Sequence, residues 1–157
     1  MTTSARTSDF YVFEGPQTLS LELIPLRVRY KLDCCEIKLH LQQWQTFNLQ
    51  EKQQLLQLAS DSESEIQAYR AYLQRLVETY FKSTVDAHPA SGTEVWRLLH
   101  NWPEAIVQQC ELQGLALPAL SYWQGLHEAD RHALFILGRS KHSQTEFVQA
   151  MRLFCDA

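Results

Sequence analysis

The stretch LQQWQTFNLQEKQQLLQL, residues 41–58, recurs 79 residues later as LSYWQGLHEADRHALFIL, residues 120–137. Each version has a tryptophan at its fourth position, an acidic–basic pair at its eleventh and twelfth, and leucines at helical spacing. Shorter matching blocks flank both versions in the same order, at offsets of 78 residues before them and 81 residues after them. Three ordered blocks of this kind predict a duplicated helical unit.

Turn and capping residues predict where the helices begin and end. Pro25 and Pro103 suit a first helical turn, because the N–H that proline lacks would have no partner there. Gly114 suits the end of a helix, where a left-handed backbone is common. Each repeat is thus predicted to contain three helices plus a short one. Capping-box patterns, with a glutamate three residues on, occur at Asn48, Ser62 and Ser143.

We predict an all-α fold in which two tandem repeats of three to four helices form one compact domain about a pseudo-two-fold axis. Each repeat alone would bury a thin core, which favours packing their apolar helices face to face. Within the N-terminal arm, residues 1–9 are expected to fray and residues 10–14 to pack as an extended segment. The predicted segments are a partly flexible arm (1–23), the first repeat (24–81), a linker with a possible short helix (82–101) and the second repeat (102–157).

Composition places the chain among soluble globular proteins. It has 157 residues, 45% apolar and 20% charged, with a formal net charge of -4. The acidic balance disfavours a general nucleic-acid binder. No apolar run approaches the roughly 18 residues of a membrane span, and the N-terminus lacks a signal pattern, so we expect a cytoplasmic protein without membrane contact.

Nothing in the sequence predicts an enzyme, a cofactor site or a metal site. A glycine-rich phosphate loop, HExxH and GxSxG are all missing. The four cysteines form no CxxC pair and are expected to be buried structural thiols. The pairs Glu51–Lys52 and Asp130–Arg131 resemble catalytic pairs, but capping-box positions and local ion pairing explain them better. Trp44 and Trp123 are expected to anchor the core.

The most charged stretch is IPLRVRYKLDCCEIKL, residues 24–39. Arg29 with Asp33, and Arg27 with Lys31, are four residues apart and predict two charged ridges beside an apolar helix face. The equivalent positions of the second repeat are uncharged. A solvated helix face explains these charges, but so does a site for an acidic partner, an anionic cofactor or nucleic acid. The cations are Arg27, Arg29, Lys31 and Lys38, and their counterparts are Ala105, Val107, Gln109 and Ala116.

The same stretch resembles a known family, the bacterial nitrate reductase-associated proteins. The resemblance covers most of residues 22–154 and includes EIQAYRAYLQRLV from Glu65 and WQGLHEADRHALFILGRS from Trp123. Where the family usually has glycine, this chain has Glu36, which is expected to end the first helix differently or to lengthen it. The matching positions are Ile24, Pro25, Val28, Arg29, Lys31, Leu32, Asp33, Lys38, Leu39, Leu41, Trp44 and Phe47.

The resemblance implies a non-catalytic accessory protein, or chaperone, that assimilatory nitrate reductase needs for activity, while the reductase performs the redox chemistry. We expect protein binding through an apolar groove between the repeats, flanked by the Arg27, Arg29 and Lys31 ridge. Two alternatives remain: a carrier that binds the anionic molybdenum-pterin cofactor through that ridge, and a helical DNA-binding regulator. The oligomeric state is left open. The residues predicted to bind the partner are Arg27, Arg29, Tyr30, Lys31, Asp33, Lys38 and Tyr72.

Overall fold

A computed structural model of the protein describes residues 6–7, 10–89 and 94–155. It is 63% helix and 4% strand, and the described residues contain nine α-helices and four two-residue strands. The predicted all-α class is therefore confirmed. The expected fraying of residues 1–9 falls mostly outside the described residues.

Contacts along the backbone divide the chain into two units. The C-terminal unit comprises Met1–Thr7, Tyr11–Phe13 and Ser91–Ala157, and the N-terminal unit comprises Ser8–Phe10 and Glu14–Ala90. The repeat boundaries, the single domain and the pseudo-two-fold axis stay predictions.

The described part of the N-terminal unit contains five α-helices. Both capping boxes predicted here are confirmed. The Asn48 side chain accepts a hydrogen bond from the N–H of Glu51 at 2.8 Å, and the Ser62 hydroxyl accepts one from that of Glu65 at 3.2 Å. In both boxes the glutamate side chain accepts a hydrogen bond from the capping residue's own N–H at 2.9 Å. The helices are α1 (Pro16–Leu19), α2 (Leu26–Cys34), α3 (Leu41–Thr46), α4 (Leu49–Gln57) and α5 (Glu63–Phe81).

Short strands occur in both units. β1 (Arg6–Thr7) pairs with β2 (Phe10–Tyr11). β3 (Ile37–Lys38) pairs antiparallel with β4 (Asp86–Ala87), with Ile37 opposite Ala87. Part of the segment predicted as a linker is therefore hydrogen-bonded to the residues that follow α2.

The C-terminal unit contains one 3-10 helix and four α-helices in its described part. The helices α6 (Glu104–Leu112) and α8 (Glu128–Arg139) approach closely at Gly138, where a Cβ atom would lie 3.1 Å from Cγ1 of Ile106. A glycine at this position therefore permits the contact between the two helices. The elements are the 3-10 helix Val95–Arg97, α6 (Glu104–Leu112), α7 (Leu120–Gly125), α8 (Glu128–Arg139) and α9 (Gln144–Cys155).

A tryptophan is fully buried in the core of each unit, as predicted. The indole N–H of Trp44 donates to the carbonyl of Leu21 at 2.9 Å, and that of Trp123 donates to the carbonyl of Leu98 at 2.8 Å. The glutamine that follows each tryptophan donates to the carbonyl of the next residue, Glu22 in the first unit and Leu99 in the second. Each indole thus fills the core and satisfies its polar atom at once.

The expectation for Glu36 is wrong. Its backbone adopts the left-handed conformation, with φ of 57°, and Gly114 does the same after α6, with φ of 68°. Each lies two residues beyond the last residue of its helix. Glu36 therefore ends α2 as glycine would, and its carbonyl accepts a hydrogen bond from the N–H of His88 at 2.8 Å.

Candidate partner-binding face

Helix α2, which carries most of the predicted binding residues, is anchored at both ends. At its N-terminus, the buried carboxylate of Glu14 accepts a hydrogen bond from the N–H of Leu26 at 3.1 Å. At its C-terminus, the Arg70 guanidinium donates to the carbonyl of Cys35 at 2.6 Å. Both contacts place a charge where the helix dipole favours it. Between the ends, Val28 and Leu32 are buried in the core.

Part of α2 and strand β3 present charged side chains to solvent. Arg29 and Lys38 are exposed, while Arg27, Tyr30 and Asp33 are half-buried. We call these five residues the α2 face. The structure thus places five of the seven predicted residues on one helix, four of them at least partly exposed, and a sixth, Lys38, on the strand that follows it.

Lys31 is a correction to the predicted ridge. It is only 6% exposed, and its ammonium group donates to the carbonyl of Leu56 in the last turn of α4. The reason is that carbonyls at a helix C-terminus lack intrahelical partners and attract cations. Helical spacing could have predicted the burial of Lys31. Positions 28, 31, 32 and 35 share one helix face, and the apolar stem of a lysine can lie along a buried face.

Tyr72, which is also predicted to bind the partner, lies on neither α2 nor β3. It lies on α5, half-buried against the core of the N-terminal unit. The Arg75 guanidinium lies 5.5 Å from the centre of its ring. Burial, followed by the nearby Glu51 carboxylate, raises the pKa of the Tyr72 hydroxyl above its usual value, although Arg75 opposes this. Tyr72 is therefore not part of the α2 face.

The two acidic–basic pairs have structural contacts. Glu51 caps α4 and accepts a hydrogen bond from the Tyr80 hydroxyl at 2.7 Å. The capping role expected for Asp130 is wrong: His127, at the N-cap of α8, makes no side-chain capping bond, and buried Asp130 accepts from the Tyr11 hydroxyl at 2.7 Å.

The basic members of these pairs lie against the buried tryptophans. The Lys52 ammonium is 5.7 Å from the ring centre of Trp44, and the Arg131 guanidinium is 5.9 Å from that of Trp123. Arg131 is buried and donates to the backbone carbonyls of Trp96 and Leu126. Both basic side chains thus make cation–π contacts, and Arg131 also donates hydrogen bonds to the backbone.

The cysteines have the environment of structural thiols. Cys35, Cys110 and Cys155 are buried, and Cys34 is half-buried. Burial, with a smaller contribution from Cys34, raises the pKa of Cys35 to about 12, although Arg70 acts in the opposite direction. A thiol in this state is a poor nucleophile and a poor metal ligand. Within the described residues, no three His, Cys, Asp or Glu side chains cluster as a metal site would require.

No helix in the described ranges has both the length and the apolar character needed to cross a bilayer.

Comparison with known proteins agrees with the resemblance noted in the sequence. The family described as conserved nitrate reductase-associated protein matches residues 10–154. No significant similarity links the chain to a curated protein or to a solved structure. The match spans both units, including α2, both tryptophans and the pairs that follow them. The chain therefore belongs to the family of conserved nitrate reductase-associated proteins.

Proposed function

We propose that the protein is a non-catalytic, cytoplasmic accessory protein that binds assimilatory nitrate reductase and supports its maturation or stability. The observation that carries this proposal is the α2 face: a cationic surface on an acidic protein of a nitrate reductase-associated family. Charge complementarity between two proteins sets their relative orientation and speeds their encounter. An acidic surface on the reductase is the partner that this face fits.

The positions of the second repeat that correspond to the cations of the α2 face are uncharged, and this difference supports the proposal. We infer that the two units are copies of one ancestral unit. Both have a tryptophan and the following glutamine donating to two consecutive carbonyls, at Leu21 and Glu22 in one unit and at Leu98 and Leu99 in the other. The copies share these core contacts, whereas the cations of the α2 face occur in one copy. Charges that the fold does not require are candidates for recognition.

Lys31 has a different part in this proposal from the one its charge suggested. Its ammonium links α2 to the C-terminal end of α4, and the hydroxyl of buried Tyr69 donates to the neighbouring carbonyl of Leu55 at 2.7 Å. The Lys31 bond holds α2 against α4 from inside the unit, and the Tyr69 bond holds α4 against α5. A rigid helix loses less conformational freedom when a partner binds its outer side.

An affinity pull-down from nitrate-grown cells tests the proposal. The Arg29→Ala/Lys38→Ala double variant removes two exposed cations of the α2 face and is expected to lose most of the reductase that wild type retains. The matched control is Arg139→Ala/Lys141→Ala, which removes two exposed cations from the C-terminal unit and is expected to bind as wild type does.

Each other outcome has a definite meaning. Equal loss in both double variants would show that general charge, rather than the α2 face, controls binding. If both double variants retain as much reductase as wild type, the reductase is still the partner, but the α2 face is not the surface that binds it. If wild type never retains the reductase, even after crosslinking, stable association is rejected. Salt-sensitive binding of the isolated anionic molybdenum-pterin cofactor would then support the carrier alternative.

A further inference from the structure

Residues 11–13 of the N-terminal arm are seated in the C-terminal unit. The rings of Tyr11 and Phe13 are stacked with centres 5.2 Å apart, and both meet the edge or face of Phe154, at 6.0 and 6.1 Å. Tyr11 is 1% exposed and Phe13 is 7% exposed. The arm thus contributes two large side chains to the core of a unit that otherwise begins about eighty residues later in the sequence.

A hydrogen bond also joins the arm to the C-terminal unit. The Tyr11 hydroxyl donates to Oδ1 of buried Asp130 at 2.7 Å and lies 3.3 Å from the carbonyl of Ala129. In the N-terminal unit, the equivalent carboxylate of Glu51 receives the Tyr80 hydroxyl at the same 2.7 Å, from helix α5. Helix α5 has nineteen residues and α9 has twelve. The arm therefore supplies to Asp130 the tyrosine that a longer helix supplies to Glu51.

Val12 and Phe13 form a turn after β2, so the extended packing predicted for residues 10–14 is wrong at these two positions. Val12, between the two buried aromatic residues, is 54% exposed, so the turn buries the aromatic side chains before and after it and leaves Val12 at the surface. An open depression of about 500 Å³ adjoins Val12 and Phe13 and is lined on α9 by Gln149, Arg152 and Leu153. The surface around the arm is therefore a groove that residues 11–13 fill only in part.

We propose that the C-terminal unit contains a binding site for a short aromatic-x-aromatic segment, and that residues 11–13 occupy it as an intramolecular ligand. The phenol of the first aromatic residue binds Asp130, and both rings pack on Phe154. Because the arm is covalently attached, its effective concentration is on the order of millimolar, and an external segment binds only after the arm leaves.

A peptide titration tests the proposal on the full-length chain. The probe is a labelled peptide of residues 8–15, SDFYVFEG, and the receptor is the Tyr11→Ala/Phe13→Ala double variant. We expect the variant to bind the probe at least about tenfold more tightly than wild type, whose own arm competes. The control variant Leu19→Ala changes an exposed apolar residue of α1, outside the bound segment, and is expected to behave as wild type. A probe with alanine in place of its tyrosine and second phenylalanine is expected not to bind.

Two results would overturn the proposal: a folded double variant that does not bind the probe, or equal affinity in wild type and double variant. Should the double variant lose its helical circular dichroism, Tyr11→Phe provides a milder test by hydrogen exchange. It is expected to speed amide exchange in α8 and α9 several-fold while leaving α2 and α4 unchanged. An equal increase in both units, or none, contradicts the proposal. Concentration-dependent dimers in which arms exchange would make a second copy the occupant.

Discussion

Lys31 and Lys38 are seven residues apart, yet one is buried and the other is exposed to solvent. The ammonium of Lys31 donates to the carbonyl of Leu56, so its charge is used inside the N-terminal unit. Lys38, in β3, is available to a partner. Two lysines in one charged stretch therefore have different roles, because their depths in the molecule differ.

Replacing Lys31 by methionine is expected to destabilise the protein by about 1–3 kcal/mol. The change keeps an unbranched side chain of similar length but removes the donor to the buried carbonyl of Leu56. Urea unfolding followed by circular dichroism measures the effect. The matched control Lys38→Met is expected to stay within about 0.5 kcal/mol of wild type, since its site is exposed. Equal effects in the two variants would show that the buried hydrogen bond contributes nothing particular.

Both ends of helix α2 are stabilised by residues outside the helix. Its first N–H group is capped by a glutamate twelve residues earlier, and its last turn is closed by Glu36 in a left-handed conformation. A residue with a Cβ atom is strained there, which is why glycine is favoured at such positions. Gly114 holds the equivalent position after α6 without that strain.

The substitution Glu36→Gly is expected to stabilise the protein by about 0.5–1 kcal/mol. Relief of the left-handed strain exceeds the extra chain entropy that glycine adds to the unfolded state. Gly114→Ala is expected to act in the opposite direction, destabilising by about 1 kcal/mol. Thermal and urea unfolding of both variants provide the measurement. A loss of stability in Glu36→Gly would mean that the side chain contributes more through its contacts than its backbone strain costs.

For the whole molecule, buried thiol and phenol groups with raised pKa values, among them Cys35 and Tyr69, make the free energy of unfolding depend on pH in the alkaline range. Burial raises the pKa of Cys35 from 9.0 to about 12 and raises that of Tyr69 well above its ordinary value of 10.0. Both groups therefore keep their protons in the folded state at a pH where the unfolded chain releases them. Since the unfolded state binds fewer protons, the free energy of unfolding falls as pH rises.

We expect the free energy of unfolding to change little with these groups below pH 9 and to fall between pH 9 and pH 12. Each group that ionises only on unfolding contributes a slope of about 1.4 kcal/mol per pH unit. Urea unfolding at a series of pH values checks this, with Cys35→Ala as the variant whose slope is smaller by one proton above pH 9. A slope that is identical in this variant would exclude Cys35 as a source.

Several interactions across the molecule are local enough to be predicted. The capping boxes at Asn48 and Ser62 involve residues three positions apart, and leucines at helical spacing predict each buried face. Trp44 and Trp123 were predictable because a large aromatic residue recurring among leucines indicates a core position. The sequence by itself therefore determined the helical class, the capped starts of α4 and α5, and the core anchors, all of which depend on near neighbours.

Only the tertiary structure decided which polar groups turn inward. Lys31 meets Leu56 across 25 residues, and Tyr11 meets Asp130 across 119 residues. No local rule selects such partners, because a buried polar atom is satisfied by whatever group the fold brings within hydrogen-bonding distance. For the same reason, the α2 face contains fewer cations than the sequence of residues 24–39 predicts. Lys31 is not part of it, because segments distant in the sequence bury this side chain.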